Sequence, residues 1–315
     1  MARGRFAVIG DFMLDSYIYG IHERMSPEAP VPVVDVELRE ERLGGAGNVA
    51  VNLRGLGADV EVFSVIGVDD AGDKLVNRLS ERGIVYGHII RSERRRTTIK
   101  HRVIANDHHL LRVDEEQTDE IEASLESQLI ESLREAMDER GFDALIFQDY
   151  NKGVLTHKVI SNCIEIAQNA KVFTAVDPKF KHFMDYQEVD LFKPNLKECL
   201  GGLDWKGGSE SAEQLMSMAK ELRGALNCQN LMLTLSERGM LSLNAEQSDI
   251  TPAMERNIID VSGAGDTVLA VGSAAMAVGA SLKDAAYLAN MAGGLVCEHV
   301  GVVPISSEML LAEVG

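Results

Sequence analysis

With 315 residues, 45% of them hydrophobic and 25% charged, the chain has the length and composition of a globular protein that buries a large core, as one α/β domain or one domain with an excursion. Its formal net charge of -18 argues against nucleic acid or an anionic membrane as principal partner, so an anionic small substrate has to be captured by a local basic cluster. No uncharged apolar stretch is long enough to span a bilayer, and the first apolar run, Phe6 to Gly10, is too short for a signal-peptide core; a cytoplasmic location is expected.

Phe6-Ala7-Val8-Ile9-Gly10 fits a buried first strand, followed by Asp11 and Asp15. Tyr17 to Gly20 and Val31 to Val36 read as strands on either side of Ser26-Pro27-Glu28-Ala29-Pro30, and the prolines suit a sheet edge or a small exposed sheet. Gly44-Gly45-Ala46-Gly47-Asn48 opens a helix to about Leu56, Val60 to Ile66 is a strand, and Gly72 to Arg82 is an amphipathic helix. A second β-rich excursion covers about Val85 to Asp114, including Thr97 to Ile104 and Leu110 to Val113. From Glu120 onward helix and strand alternate, and successive strands run into Asp149, Asp177, Asn195 and Ser236. Such alternation implies a mostly parallel sheet with helices on both faces, where ligands bind at the carboxyl ends of the strands. The expected architecture is a single α/β domain over 1–315, Rossmann-like, with a small β lid formed by about 16–40 and 86–114. Cys163, Cys199, Cys228 and Cys297 lie far apart without metal-ligand spacing and read as buried free thiols.

The stretch richest in chemistry is Asp260-Val261-Ser262-Gly263-Ala264-Gly265-Asp266-Thr267. Its glycines let backbone crowd around a bound group, and the apolar run Val268 to Val278 reads as a buried helix starting there. Amides at a helix start lack partners and favour negative charge, so Asp266 in that first turn lies beside an anion hole, where it can take a proton from an attacking group. A glycine-rich turn with an acidic cap is the plainer alternative. Asp11 and Asp15 offer carboxylates of the kind that accept paired hydrogen bonds from sugar hydroxyls. Gly44, Gly45 and Asn48 offer bare backbone and an amide to a small polar ligand. The run Gly45 to Ala50 also meets the loose dinucleotide pattern, but Arg39-Glu40-Glu41-Arg42 separates it from any preceding strand.

Arg94, Arg95, Arg96, Lys100 and Arg102 form the densest basic stretch; in a strand Lys100 and Arg102 share a face, as a pair holding a substrate phosphate would, or else the stretch is a solvated lid edge whose charge prevents aggregation. Asn195 and Glu198, three apart at a helix start, suit a water-coordinated Mg²⁺ and nucleotide phosphates, or else a helix cap. Thr234 to Gly239 is a strand and polar turn that either lines a nucleotide or forms a hairpin to Met240 to Leu243. The chain has no P-loop, no protein-kinase signature set and no H-E-x-x-H, and its eight histidines lack metal spacing.

Gly44 to Asn48, Asn195-Leu196-Lys197-Glu198 and Asp260 to Thr267 together resemble the ribokinase-like (phosphofructokinase-B) sugar kinases, in order and spacing, over essentially the whole chain. Gly10 to Asp15, Ser26 to Val34, Asp149-Tyr150-Asn151-Lys152-Gly153 and Asp177-Pro178-Lys179 resemble more closely the heptose 7-phosphate kinases of ADP-heptose synthesis. The resemblance implies ATP-dependent phosphorylation of the anomeric hydroxyl of a heptose 7-phosphate. Asp266 is then the base and Gly263, Ala264 and Gly265 the anion hole. Asp15, Gly44, Gly45 and Asn48 contact the sugar, and Lys100, Arg102, Asp149 and Lys152 its phosphorylated end. Asn195 and Glu198 serve Mg²⁺ and phosphate, while Lys179, Ser236, Gly239 and Asn290 lie toward ATP. It further implies a homodimer through the β lid and leaves room for a monovalent cation.

Two positions depart from the family pattern: Lys193 stands before Pro194 where a threonine is expected, and Gly301-Val302-Val303-Pro304 lacks a small hydroxyl residue. With the chain ending at Gly315, kinase activity without a fused adenylyltransferase is expected. Competing readings are another sugar kinase of the family (directed to fructose, ribose or a hexose phosphate), a non-catalytic sugar or nucleotide sensor, and a dinucleotide oxidoreductase.

Overall fold

The computed structural model describes residues 4–106 and 108–314. Its strands are β1 (Arg5–Gly10), β2 (Phe12–Met25), β3 (Pro32–Gly45), β4 (Asp59–Gly67), β5 (Val85–Ser92), β6 (Thr98–Ala105), β7 (His108–Glu115), β8 (Ala144–Gln148), β9 (Phe173–Asp177), β10 (Leu191–Phe192), β11 (Asn230–Thr234), β12 (Met240–Leu243) and β13 (Ser248–Thr251). The helices are α1 (Ala46–Gly55), α2 (Asp70–Glu81), α3 (Ala123–Arg140), α4 (His157–Ala170), α5 (Leu196–Gly202), α6 (Ala212–Leu226), α7 (Ala264–Ala277), α8 (Leu282–Val296) and α9 (Ser307–Val314). Nine strands form one sheet in the order β13-β12-β11-β10-β9-β8-β1-β4-β5, parallel except for the β11-β12-β13 meander. A second sheet of four strands runs β3-β2-β6-β7.

Period-two side-chain alternation explains why the large sheet is covered on both faces. Phe6 and Val8 of β1 enter one core with α1, α7 and α8, whereas Ala7 and Ile9 enter the other with α3, α4 and α6. Because both sets are apolar, the strand reads as one hydrophobic run. Helix α7 is buried from Asp266 to Ser273, which suits its apolar circumference. Its approach to α8 is so close that a Cβ on Gly293 would lie 2.7 Å from Val268 Cγ2. All four cysteines are buried and free, as expected.

The expected lid boundaries need correction. Residues 86–92 belong to β5, which pairs in parallel with β4 and closes one edge of the large sheet. Its side chains are half-buried at best, so its pattern resembles that of an exposed excursion, yet His88 stacks on Phe63 at 4.5 Å and anchors the strand to the main core. The small sheet instead comprises β2, β3, β6 and β7, and begins at Phe12, immediately after β1. The charged run Arg39 to Arg42 is also strand: β3 passes through it and leads straight into α1. Pro32 opens β3, an edge strand, where its missing N–H costs nothing. Thr234 to Leu243 forms the hairpin, with β11 and β12 antiparallel.

Candidate active site

The parallel strands all point their carboxyl ends at one edge, and their last residues meet there. Gln148 ends β8, Asp177 ends β9, and Lys193 follows β10. Helix α7 begins above them with Gly263 at φ 80 as its cap. That left-handed backbone is available to glycine, and a Cβ there would sit 2.7 Å from Asn48 Nδ2. The Ala264 N–H is spent on the Val261 carbonyl at 3.3 Å, so the donors for an anion are the neighbouring first-turn amides.

Asp266 is the centre of this edge. Its Oδ2 accepts from Asn48 Nδ2 at 2.9 Å, and its Oδ1 accepts from Tyr150 Oη at 2.7 Å and Gln148 Nε2 at 3.1 Å. Burial pushes its carboxyl up to about 6, against the opposing pull of the Asn48 and Tyr150 hydrogen bonds. The Tyr150 phenol rises well above its ordinary value, through burial and then the charge of Asp266. Such a carboxyl is poised near the operating pH of a general base.

The small sheet reaches this centre through Asp15 on β2. Gly44 lies against it so closely that a Cβ would be 2.4 Å from Asp15 Oδ2, and Gly45 takes φ 58 where a Cβ would strike the Asp11 carbonyl. Gly45 is therefore fixed by its backbone conformation and neighbour, and Gly44 by the Asp15 carboxylate lying against it. Asp15 Oδ1 accepts from Arg102, and Lys100 faces the same way one pair of residues along β6. Lys152 reaches the same region from the loop after β8. Asp11 departs from its expected role: its carboxylate accepts the N–H groups of Tyr150, Lys152 and Val154 and ties that loop to β1. Asp149 is likewise turned inward, accepting from Asn151 N and Tyr186 Oη, and this geometry does not support its expected contact with the sugar phosphate. Of the arginine triplet, Arg95 donates to the carbonyls of Asp119 and Lys152, Arg94 meets Glu122 and Arg96 meets Glu115.

On the other side of Asp266 stands a charged network. Lys193 Nζ is 3.0 Å from Asp177 Oδ2, and Lys179 lies between Glu198 and Asp177. Asp177 stays below the ordinary carboxylate range because Lys179 and Lys193 outweigh the cost of burial. A Cβ on Gly265 would lie 3.7 Å from Lys193 Nζ, which puts that ammonium beside the helix start. Asn195 and Glu198 cap α5 reciprocally, Asn195 Oδ1 taking Glu198 N and Glu198 Oε2 taking Asn195 N. The cap uses one carboxylate oxygen, and the other meets Lys179. Farther along, Gly239 (φ 87) packs against the Thr251 carbonyl, and Asn290 donates to the next carbonyl, that of Pro252, at 2.8 Å. Beside Asn290 opens a cleft of about 680 Å³ lined by Thr251, Pro252, Ala253, Met254 and Tyr287 among others. Ser236 sits at φ 55 in the β11–β12 hairpin turn.

The family model described as pfkB family carbohydrate kinase matches residues 4–308. The chain belongs to that family. It is an ATP-dependent sugar kinase. Similar curated proteins include the bifunctional protein HldE of a Nitratiruptor species, 40% identical over 304 residues, covering 96% of this chain and 63% of that protein. HldE of Geobacter metallireducens is 38% identical over 310 residues, covering 98% of this chain and 62% of that protein. The chain thus spans under two thirds of the length of these relatives. Among solved structures, Escherichia coli phosphofructokinase-2 in complex with potassium superimposes with TM-score 0.80 at 17% identity, covering 99% of this kinase and 98% of that chain. Arabidopsis thaliana ribokinase complexed with ribose and ATP gives 0.74 at 15% identity, with 98% of each chain covered. These likenesses establish the ribokinase-like fold.

Several groups in this kinase escaped sequence reasoning. Gln148 and Tyr150 hold Asp266; Tyr150 stands in a segment that carries the family resemblance but without an expected role, and nothing local marks Gln148. Asn52 joins three elements: its amide nitrogen donates to Asn48 O, and its oxygen accepts from Ile305 N and Thr267 Oγ1. Tyr17 lies under the guanidinium groups of Arg42 and Arg102, at 4.9 and 5.3 Å, and its hydroxyl accepts from Val302 N. Asp260 Oδ2 accepts Gly301 N, so the segment carrying the second departure from the family pattern is anchored to the loop before α7.

Proposed function

We propose that this kinase transfers the γ-phosphoryl group of ATP to the anomeric hydroxyl of a heptose 7-phosphate. The observation that carries it is the group of cations beside Asp15, with Lys100 opposite it on β6, Arg102 paired to it and Lys152 sharing Glu116 with Lys100, where a phosphorylated sugar tail would lie. The segments resembling heptose 7-phosphate kinases, around Asp15, Tyr150 and Asp177, contribute to the same edge. In this reading Asp15, Gly44, Gly45 and Asn48 hold the sugar hydroxyls, and Asp266 takes the proton of the attacking one. The first-turn amides of α7 other than that of Ala264, together with Lys193, neutralise charge on the moving phosphoryl group, a reaction governed by positioning and electrostatics.

Asp177 Oδ1 and Gln148 Oε1 are buried without a hydrogen-bond partner, which fits donors brought by a hydrated cation or its nucleotide. Glu198, Asn195 and Asp177 are the residues that would hold Mg²⁺, through water where their own oxygens are engaged. When bound, Mg²⁺ neutralises charge on the nucleotide phosphates. Ser236, Gly239 and Asn290, with the adjacent cleft, receive the nucleoside.

A coupled ADP-release assay tests the substrate. With K⁺ present, heptose 7-phosphate should exceed free heptose in kcat/KM by at least about tenfold, the scale of a phosphate's charge-assisted contacts. A higher value for fructose 6-phosphate, the ligand in one solved E. coli phosphofructokinase-2, would favour the family alternative.

The kinase is further proposed to dimerise through the small sheet, whose Val36, Leu38, Leu111 and Val113 stand 45–56% exposed. Sedimentation should give twice the 34.4 kDa of one chain. A monomer at assay concentration, or a dimer untouched by Leu38→Glu with Leu111→Glu, would remove the proposal.

A further inference from the structure

We infer that Glu116 is a built-in counter-ion for the sugar-phosphate subsite, filling it until a phosphorylated substrate displaces it. The inference rests on the sugar-phosphate reading above and assigns a residue that sets its selectivity. Two lysines from separate parts of the molecule converge on this carboxylate. Lys152, on the loop after β8, is 2.8 Å from Glu116 Oε2, and Lys100, on β6, is 3.4 Å from the same oxygen. Lys100 is also 3.1 Å from Asp114 Oδ2. The lysine side chains are only 14–15% exposed, so their ammonium groups are largely stripped of water and would repel each other without an anion between them.

The cluster continues into the sugar site: Lys100 neighbours Arg102 on the same strand face, and Arg102 holds Asp15. Glu116 lies one residue past the end of β7, whose last residue, Glu115, pairs with Ile99. Its side chain can therefore withdraw without breaking the β6–β7 ladder.

An incoming phosphate carries more charge than a carboxylate and three acceptor oxygens, so it can exchange with Glu116 and bridge both lysines. A free sugar brings no anion, leaves Glu116 in place and gains nothing from the lysines. The same carboxylate keeps inorganic phosphate from settling on a bare cationic pair.

Glu116→Gln keeps the shape and removes the charge. ADP release would be followed for wild type and variant with heptose 7-phosphate, fructose 6-phosphate and the matching free sugars. The ratio of kcat/KM for phosphorylated over free sugar is expected to rise about 3–30-fold in the variant, and inorganic phosphate to become a stronger competitive inhibitor. Glu116→Ala should move both readouts the same way. An unchanged or reduced ratio, in either variant, would make Glu116 an ordinary lid salt bridge and overturn the inference. Wild type showing no preference for phosphorylated sugars would fail the substrate reading itself, a different and separable outcome.

Discussion

Asp266→Asn is expected to lower turnover by about 10²–10⁴-fold, the usual contribution of a positioned general base, while the enzyme stays folded. Its neighbours permit the change. The Asn48 amide can still donate to the one remaining oxygen and the Tyr150 hydroxyl can turn to accept the new amide, while Gln148, whose Nε2 also donates to Asp177 Oδ2 at 3.3 Å, keeps that bond and loses the one to this position. The substitution should also stabilise the protein at neutral pH. Burial raises the Asp266 carboxyl to about 6, so the folded state binds its proton more tightly than the unfolded chain does. A raised carboxyl favours folding when protonated and costs stability as pH climbs from about 4 through about 6. By neutral pH that cost is on the order of 3 kcal/mol, which the neutral amide removes. Activity runs the opposite way, since the base must be ionised: kcat/KM of the wild type should fall below about pH 6. Pre-steady-state ADP release and thermal melts between pH 4 and 8 check both halves. Near-full turnover in a folded Asp266→Asn protein would transfer the role to another group.

Lys193→Met carries the second large effect. The ammonium is 3.0 Å from Asp177 and next to the Gly265 backbone, on a residue 2% exposed. Removing one preorganised donor beside a developing charge should cost about 10²–10³ in kcat. Stability should fall as well, because the buried Asp177 charge is left with Lys179 at 3.6 Å and the Gln148 amide at 3.3 Å. Breaking a buried pair outright costs about 3–5 kcal/mol, and the surviving lysine places this case toward the lower end. Urea melts and kcat measured on the folded fraction separate the two effects. A stable variant with wild-type kcat would confine Lys193 to salt-bridge duty far from the phosphoryl path.

Motifs whose meaning is local were legible from residues alone. Gly44-Gly45 and Gly263 announce backbone conformations and approaches that exclude a Cβ, and the structure shows the atoms that exclude it. The apolar run after Asp266 is indeed a buried helix, and it starts at Ala264. The alternation from Glu120 onward yields the parallel sheet, and its strand ends supply Gln148, Asp177 and Lys193. Less legible was the placement of β5. An edge strand of the large sheet and a strand of a small exposed sheet are both half-buried at best, so one period-two pattern serves for either.

Asp11 shows another boundary. A carboxylate after a first strand suits sugar or backbone equally, and only the three amides of the loop after β8 settle its use. Asp149 misled for the same reason, since Tyr186, which binds it, lies 37 residues away.

Lys193 was visible as a departure from the family pattern, but not as a participant. The family was legible through the resemblance of three motifs, and by itself the sequence determined the α/β architecture and the two glycine-lined turns, because helix starts, strand periodicity and missing side chains act within a few residues. Only the tertiary structure decided which polar groups surround Asp266, which carboxylates are spent on backbone and which lysines share Glu116. Those contacts join residues up to 218 positions apart, and a charge's partner is set by the packing that brings distant strand ends to one edge.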